Sequence, residues 1–251
     1  MERKLPPPHR RKHTINWLYQ CYWAEKTGNG TITWEDPLLT DAGEAEAAKA
    51  NAFFKSRYES HYMPYFEAYY NSPLKRCIQT SNITFGTLDL PETHKFEPVI
   101  KEYFRESISI HTCDHRSTKS EIRAFAPPNY RFEEGFSEED KLWHKTEGET
   151  SAGQAARNKV VLDDVFTHDD STWISVTAHS GEISSLLNVL NHRKFGLSTG
   201  QVIAVLVKAE LVDPPTTTSP IVSFTSEATC NEPPVTSISG QGCVCSPTAT
   251  P

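Results

Sequence analysis

Twice in this chain a short apolar run ends in small or polar residues and a helical pattern starts directly after it. Residues 173–176 are followed, after Thr-Ala-His-Ser-Gly, by apolar residues spaced three and four apart up to Leu190. Residues 66–70 lead through Asn-Ser-Pro into a helical pattern over 74–85, and proline suits the first turn of a helix. Two strand–turn–helix units predict an α/β fold, because parallel strands need a helical crossover between them.

The rest of the chain continues this alternation. A segment rich in Ala, Glu and Lys at 44–58 predicts a helix, with Thr40 or Asp41 as its N-cap. The other predicted elements are a strand or extended segment at 97–104, a fully buried strand at 202–207, helices at 137–143 and 150–167, and a loop-like stretch at 107–137. The predicted fold class is three-layer α/β, with a mostly parallel sheet and helices on both faces.

Composition changes at both ends of the chain. Residues 1–14 are basic and proline-rich without the apolar segment of a signal peptide, and 213–251 are rich in Pro, Thr and Ser. We therefore predict a disordered arm and a disordered tail around one domain at 15–212. The basic arm fits a solvated tail, and also a nuclear-targeting or nucleic-acid tag.

The overall charge limits the kinds of partner. The net charge is −7 and the pI about 5.8, which argue against nucleic acid or an anionic membrane as the main partner. No apolar run approaches the roughly 18 residues that span a bilayer. The six cysteines are scattered except for Cys243 and Cys245, and we expect free thiols and a cytoplasmic protein.

His179 lies where a predicted strand ends and a helix begins. Ser180 can cap that helix, and the free N–H groups of its first turn favour an anion. The stretch therefore predicts a phosphate site with an imidazole at its edge. A buried histidine at an ordinary strand–helix turn is the alternative interpretation.

Two more candidate residues follow predicted strands in the same way. Arg76 lies in the first turn of the helix after 66–70 and can bind phosphate oxygens through two N–H groups. Glu106 follows the aromatic pair Tyr103-Phe104, and a half-buried carboxyl has a raised pKa and can donate a proton. A solvated surface side chain is the alternative for each.

The segment 111–116, His-Thr-Cys-Asp-His-Arg, has the residue types of a zinc site. Its spacing matches no standard tetrahedral pattern, and the sequence offers no second pair of ligands to close the site. We therefore expect neither a metal nor a cofactor.

Four motifs in order resemble the histidine phosphatase superfamily, in the branch that contains the cofactor-dependent phosphoglycerate mutases, and more closely the fungal phosphoglycerate-mutase-like proteins. The similarity runs from about Trp17 to Glu210. The motifs are an entry segment with Cys21-Tyr22-Trp23, Gly28-Asn29-Gly30-Thr31 and Leu39-Thr40-x-x-Gly43; Ser72-Pro73-Leu74-x-Arg76-x-x-Gln79-Thr80; Arg105-Glu106 with His111-Thr112-Cys113-Asp114-x-Arg116; and Thr177-x-His179-Ser180-Gly181-Glu182.

The resemblance implies a doubly wound α/β fold with its site at the carboxyl ends of the strands. In that family a histidine attacks phosphorus and a phosphohistidine forms, while two arginines and a second histidine hold the phosphate. The resemblance implies that Arg76 is the second arginine, His179 the second histidine and Glu106 the proton donor. Ser180, at the start of the helix after His179, is a further predicted phosphate contact. The implied partner is a small phosphorylated substrate or a phosphate-like anion. Arg116, in the stretch 107–137, is a candidate substrate cap, with a solvated basic loop as the alternative.

One expected motif does not occur in this sequence. The family's first strand ends in Arg-His-Gly, which supplies the nucleophile and the first arginine, and the sequence contains no Arg-His-Gly. His9 and His13 lie in the proline-rich arm, which does not read as a strand. One hypothesis is an enzyme whose first coding segment is missing or mis-joined; the other is a non-catalytic anion-binding or scaffold protein. The sequence does not distinguish mutase from phosphatase activity, and it identifies neither the substrate nor the oligomeric state.

Overall fold

The computed structural model describes residues 21–210, 223–227 and 229. The predicted arm at 1–14, with His9 and His13, lies outside the described residues, as do the start of the predicted domain at 15–20 and most of the predicted tail. Among the described residues, no helix is both long enough and apolar enough to cross a membrane.

The secondary structure alternates between strands and helices. The strands are β1 (Ala68–Asn71), β2 (Val99–Ile100), β3 (Arg131–Phe132), β4 (Glu147–Glu149), β5 (Ile174–Thr177) and β6 (Phe224–Ser226). The helices are α1 (Cys21–Ala24), α2 (Asp41–Glu59), α3 (Lys75–Phe85), α4 (Lys119–Phe125), α5 (Ser151–His168) and α6 (Ser180–Val189). Short 3-10 turns lie at Glu92–His94, Glu102–Phe104 and Thr112–Asp114.

A four-stranded sheet of order β3-β2-β1-β5 forms the centre of the fold, and all its pairings are parallel. In the register of the sheet, Tyr70 of β1 lies opposite Val99 on one side and Val176 on the other. A parallel sheet places the carboxyl ends of its strands at one edge, and the predicted site follows β1, β2 and β5 there. The predicted parallel sheet is confirmed.

Helices cover both faces of this sheet, because successive side chains of a strand point to opposite sides. Tyr69 packs with Phe54 of α2 in a largely aromatic cluster, which also contains residues of α3. Tyr70 belongs to a second cluster with Val161 of α5 and Leu186 of α6. The three-layer arrangement is therefore confirmed.

The start of α2 agrees with the prediction. Thr40 is the N-cap, and its Oγ1 accepts a hydrogen bond from the Gly43 N–H at 3.2 Å. The preceding Leu39 N–H donates to Gln79 Oε1 at 2.7 Å. Two of the motifs that are distant in sequence are thus joined directly, which places α2 beside α3.

The stretch 107–137 is more regular than the sequence predicted. It contains α4, β3 and the turn at Thr112–Asp114. A capping box starts α4, because Thr118 Oγ1 accepts from the Glu121 N–H at 3.2 Å and Glu121 Oε2 accepts from the Thr118 N–H at 2.9 Å. The Thr-x-x-Glu pattern in the sequence indicates such a helix start, but the sequence analysis did not predict this short helix.

The predicted helix at 137–143 is wrong, since this segment has no helical turn. Its Asp140 is drawn into the interior, where both carboxylate oxygens accept from the Arg105 guanidinium at 2.7 and 2.8 Å. The same carboxylate also accepts the backbone N–H groups of Leu142 and Trp143. Asp140 was predicted to lie at the start of a helix, but it instead forms an ion pair with the buried Arg105.

The predicted buried strand at 202–207 is also wrong. The segment forms no strand, and Leu206 and Val202 are exposed. Among the described strands none pairs with it, and β5 has a described partner only in β1. Apolar content made the segment resemble a strand, but a strand exists only where a second backbone pairs with it.

Part of the predicted disordered tail is ordered. β6 pairs antiparallel with β4, and the Ser223 carbonyl accepts from the Thr150 N–H at 2.9 Å. A Cβ atom on Gly153 would lie 2.5 Å from that Ser223 carbonyl oxygen, so the close approach requires glycine at 153. The expectation of disorder therefore does not hold for 223–227.

Candidate functional site

His179 is held at the carboxyl ends of β1 and β5. The Ser72 N–H donates to the Thr177 carbonyl at 3.0 Å, which extends the pairing of the two strands into the segments that follow them. His179 Nε2 then lies 2.8 Å from Ser72 Oγ and 3.4 Å from Cys77 Sγ. All three side chains are buried, so the imidazole has a defined orientation.

Arg76, in the first turn of α3, is oriented by the turn at Thr112–Asp114. Its guanidinium donates to the Cys113 carbonyl at 2.6 Å and to Asp114 Oδ1 at 3.4 Å. Burial opposes the charge, but the nearby Asp114 carboxylate raises the pKa of Arg76 above its ordinary value. The site therefore contains a permanent positive charge with a fixed direction.

The Glu106 carboxyl reaches the N-terminus of α6, two residues after His179. Its Oε1 accepts from the Glu182 N–H at 2.8 Å and its Oε2 from the Gly181 N–H at 3.3 Å. A Cβ atom on Gly181 would lie 2.3 Å from Glu106 Oε1, so glycine is needed for this contact. Burial, and then the Asp114 charge, raise the pKa of Glu106, while hydrogen bonds from the Ser107 and Gly181 N–H groups and the charge of Arg76 oppose this rise. A carboxyl with a raised pKa can serve as a proton donor.

The cap of α6 differs from the prediction. The N-cap is His179, which makes no side-chain capping bond, and Ser180 is the first helical residue. The Gly181 and Glu182 N–H groups, which were expected to hold phosphate, instead bind the Glu106 carboxyl. The prediction that Ser180 caps this helix is therefore wrong. The predicted contact between Ser180 and phosphate stays a prediction.

Arg116 lies in the protein interior. It is 1% exposed, and its guanidinium donates to Glu102 Oε2 at 2.7 Å. It also lies over the Phe136 ring and donates to backbone carbonyls of residues 137–139. All three guanidinium nitrogens donate hydrogen bonds to protein groups, so the predicted role of a substrate cap does not fit this buried position.

The zinc-like segment places three ligand types near one another. The side-chain ligand atoms of His111, Cys113 and Asp114 lie within 4.8 Å of one another. However, the two Asp114 oxygens already accept from Arg76 and from Ser109 Oγ. The carboxylate therefore orients the arginine of the site, and we assign no metal to the group.

Asp36 was missed by the sequence analysis. Its Oδ1 accepts the Lys75 N–H at 2.9 Å, and its Oδ2 accepts the Ser117 N–H at 3.0 Å. The residue is 3% exposed and has a φ of 38°, a conformation that aspartate tolerates better than most residues. It caps α3 from a distant part of the chain, and nothing local in the sequence indicates that pairing.

A buried group of charges behind Glu106 was also missed. Glu182, whose N–H binds Glu106, has a fully buried carboxyl group 3.4 Å from the guanidinium of Arg157. Burial raises the pKa of Glu182 to about 8 against the opposing effect of Arg157 and Gln154. Glu182 had been noted as part of a motif, whereas Arg157 lies in the predicted helix at 150–167, in which no residue was singled out.

The comparisons with known proteins agree with this geometry. The profile described as "Histidine phosphatase superfamily (branch 1)" matches residues 22–205. A "Probable phosphoglycerate mutase" of Arthroderma benhamiae is 44% identical over 189 residues, which cover 75% of this chain and 56% of that protein. "Phosphomutase-like protein 3" of Candida albicans is 36% identical over 197 residues, which cover 78% of this chain and 59% of that protein. The chain thus spans less than two thirds of the length of either relative.

Among solved structures, the ecdysone phosphate phosphatase of Bombix mori is a distant match. It is 14% identical, with a TM-score of 0.43, over 76% of this chain and 68% of that one. The family assignment therefore rests on the sequence matches. By these matches the chain belongs to the histidine phosphatase superfamily, in its phosphoglycerate-mutase-like branch.

Proposed function

We propose that this chain binds the phosphate group of a small phosphomonoester at the carboxyl ends of β1, β2 and β5. Arg76 and His179 hold the phosphate oxygens, and Glu106 supplies the proton for the leaving oxygen. In the complete family pattern a further histidine forms the phosphohistidine, so transfer or hydrolysis is the reaction that such a site serves.

The observation that supports this proposal is the convergence of three residues that are far apart in sequence. Arg76 and Glu106 lie close enough for the Arg76 charge to lower the pKa of Glu106, and His179 adjoins the helix end that binds Glu106. A fixed guanidinium and an imidazole suit phosphate oxygens, and a proton donor suits a poor alkoxide leaving group.

Thermal unfolding with and without inorganic phosphate or vanadate tests the binding. A ligand at 100 times its dissociation constant stabilises a protein by about 2.7 kcal/mol, which for a chain of this size raises Tm by roughly 5–10 °C. Arg76→Lys should reduce this rise strongly. Arg123→Lys is the matched control, because Arg123 donates to the Tyr130 carbonyl and lies over the Phe132 ring, not at the site. Equal ligand-induced shifts in both variants would refute the assignment.

Binding without turnover is the second candidate function. The absence of Arg-His-Gly from the sequence favours it, because covalent catalysis needs a positioned nucleophile. Hydrolysis of an aryl phosphate by the purified chain, abolished in His179→Ala, would establish turnover and exclude this candidate. A phosphate-dependent Tm shift with no hydrolysis would instead identify an anion-binding protein.

A further inference from the structure

Arg157, on α5, makes its main contacts with the segment that ends in Glu106. One terminal nitrogen of the guanidinium donates to the Tyr103 carbonyl at 2.6 Å and to the Arg105 carbonyl at 3.1 Å. The other donates to the Glu106 carbonyl at 3.3 Å. Three carbonyls within four residues are thus held by one side chain.

The opposite side of the guanidinium is fixed by the carboxyl groups of two glutamates. Glu149 accepts from Nε at 2.8 Å and from the second terminal nitrogen at 2.9 Å, in a bidentate pair. Glu182 Oε2 lies 3.4 Å from the same terminal nitrogen. The side chains of Arg157, Glu149 and Glu182 are all completely buried. A buried arginine is tolerated only with such partners, and their planar arrangement fixes the direction of its remaining donors.

Glu106 is therefore held at two points. Arg157 binds its backbone carbonyl from the side of α5, and the Gly181 and Glu182 N–H groups bind its carboxyl from α6. We propose that Arg157 is a positioning residue: by holding the carbonyls of residues 103, 105 and 106, it fixes the backbone from which the Glu106 carboxyl reaches α6 beside His179. The consequence for phosphate binding rests on the proposed function, whereas the position of Glu106 does not.

A purely structural role for Arg157 makes a different prediction, and Arg116 provides the comparison. Arg116 is buried to the same degree and also binds one carboxylate and several backbone carbonyls, but those carbonyls belong to residues 117 and 137–139. Lysine at either position keeps the charge and loses the planar set of donors. Both variants should lose stability, and only Arg157→Lys should displace Glu106.

The Gly181 amide reports the Glu106 carboxyl directly. The amide donates to Glu106 Oε2, so its NMR chemical shift follows the ionisation of that carboxyl. Other titratable or charged groups surround Glu106, and Glu106→Gln identifies which inflection belongs to it. These groups are Arg76 and Cys77 on α3, Cys113 and Asp114 in the turn at Thr112–Asp114, and His179 and Glu182 at the start of α6.

The experiment is a pH titration of the Gly181 amide in the full chain. In the wild type, we expect an inflection above the ordinary range of glutamate, which disappears in Glu106→Gln. In Arg157→Lys, the inflection should vanish or fall by about one pH unit or more toward the value of a solvated glutamate. In Arg116→Lys it should stay at the wild-type pH. An unchanged inflection in folded Arg157→Lys would overturn the proposal.

A second variant keeps the test decisive if Arg157→Lys does not fold. Glu149→Gln leaves the guanidinium in place but removes its bidentate carboxylate, so the Glu106 inflection should fall in the same direction. An unchanged inflection in Glu149→Gln would then overturn the proposal.

Phosphate affinity, measured by calorimetry against pH, separates this inference from the proposed function. If the wild type binds phosphate, Arg157→Lys should shift the pH at which affinity declines, and Arg116→Lys should not. If no variant and no wild-type sample binds phosphate, the proposed function fails. The amide titration still decides whether Arg157 positions Glu106.

Discussion

Glu182→Gln should abolish a large part of the pH dependence of stability. Glu182 is completely buried at the start of α6, and burial raises its pKa from 4.5 to about 8. The folded protein therefore keeps a proton that the unfolded chain releases near pH 4.5. Stability from this group is present below pH 4.5 and is lost as pH rises through about 8.

The size of the effect follows from these two values. Integration of the linkage relation from pH 5 to pH 8 gives a loss of about 3.5 kcal/mol from Glu182 in the wild type. Glutamine has the same shape and does not ionise. Its amide oxygen keeps a partner, because the Asn158 side-chain nitrogen lies 2.7 Å from Oε1 of residue 182 and can donate to it.

The assay is urea unfolding at several pH values between 5 and 8. The free energy of unfolding of Glu182→Gln minus that of the wild type should rise by about 3–4 kcal/mol over this range, equivalent to roughly 6–16 °C in Tm. Glu138→Gln is the control: a hydrogen bond from Ser120 lowers the pKa of this exposed carboxyl, so it is ionised throughout the range. A difference between Glu182→Gln and the wild type that stays constant with pH would refute the reasoning. It would mean that Arg157 keeps the Glu182 carboxylate ionised in the fold.

Two helix caps give further predictions, both measured by urea unfolding at pH 7. Thr40→Ala removes the acceptor of the Gly43 N–H and should lower the free energy of unfolding by about 1 kcal/mol. Thr40→Ser keeps a hydroxyl acceptor and should therefore keep most of the wild-type stability. Asp36→Ala leaves the Lys75 and Ser117 N–H groups without their carboxylate acceptor and should lower the free energy by about 2–3 kcal/mol. Asp36→Asn, which keeps one oxygen and tolerates the positive φ, should lie between the wild type and the alanine variant, and equal stability of all three would refute this account.

The features that could be predicted from the sequence are those that local pattern determines. Apolar runs followed by helical spacing located β1 with α3 and β5 with α6, and parallel pairing then brought Arg76 and His179 to one edge. Glu106 came from its place after an aromatic pair and from the family resemblance. In each case the residue lies within six positions after the end of a strand, so the position of the strand largely determines the position of the residue.

The features that were missed depend on partners that are distant in sequence. Asp36 caps a helix 39 positions further along the chain, and Arg157 binds carbonyls 51 to 54 positions before it. Asp140 was assigned to the start of a helix because its partner, Arg105, could not be identified from the sequence alone. The strand predicted at 202–207 failed for the same reason, since hydropathy does not reveal whether a second backbone is available.

The strand pair β4–β6 determines the order in which the chain can complete this site during synthesis. Translation proceeds from the N-terminus, and domains generally fold as units, so a domain is complete only when its last paired segment has been made. Glu106, Arg157 and Glu182 have all been made before β6, yet β4, which carries the Glu149 partner of Arg157, gains its antiparallel neighbour only with Phe224–Ser226. Long-range pairing is slow to form because a large loop must close first. We therefore expect the anchor of Arg157 to be the last part of the site to become ordered on a newly synthesised chain.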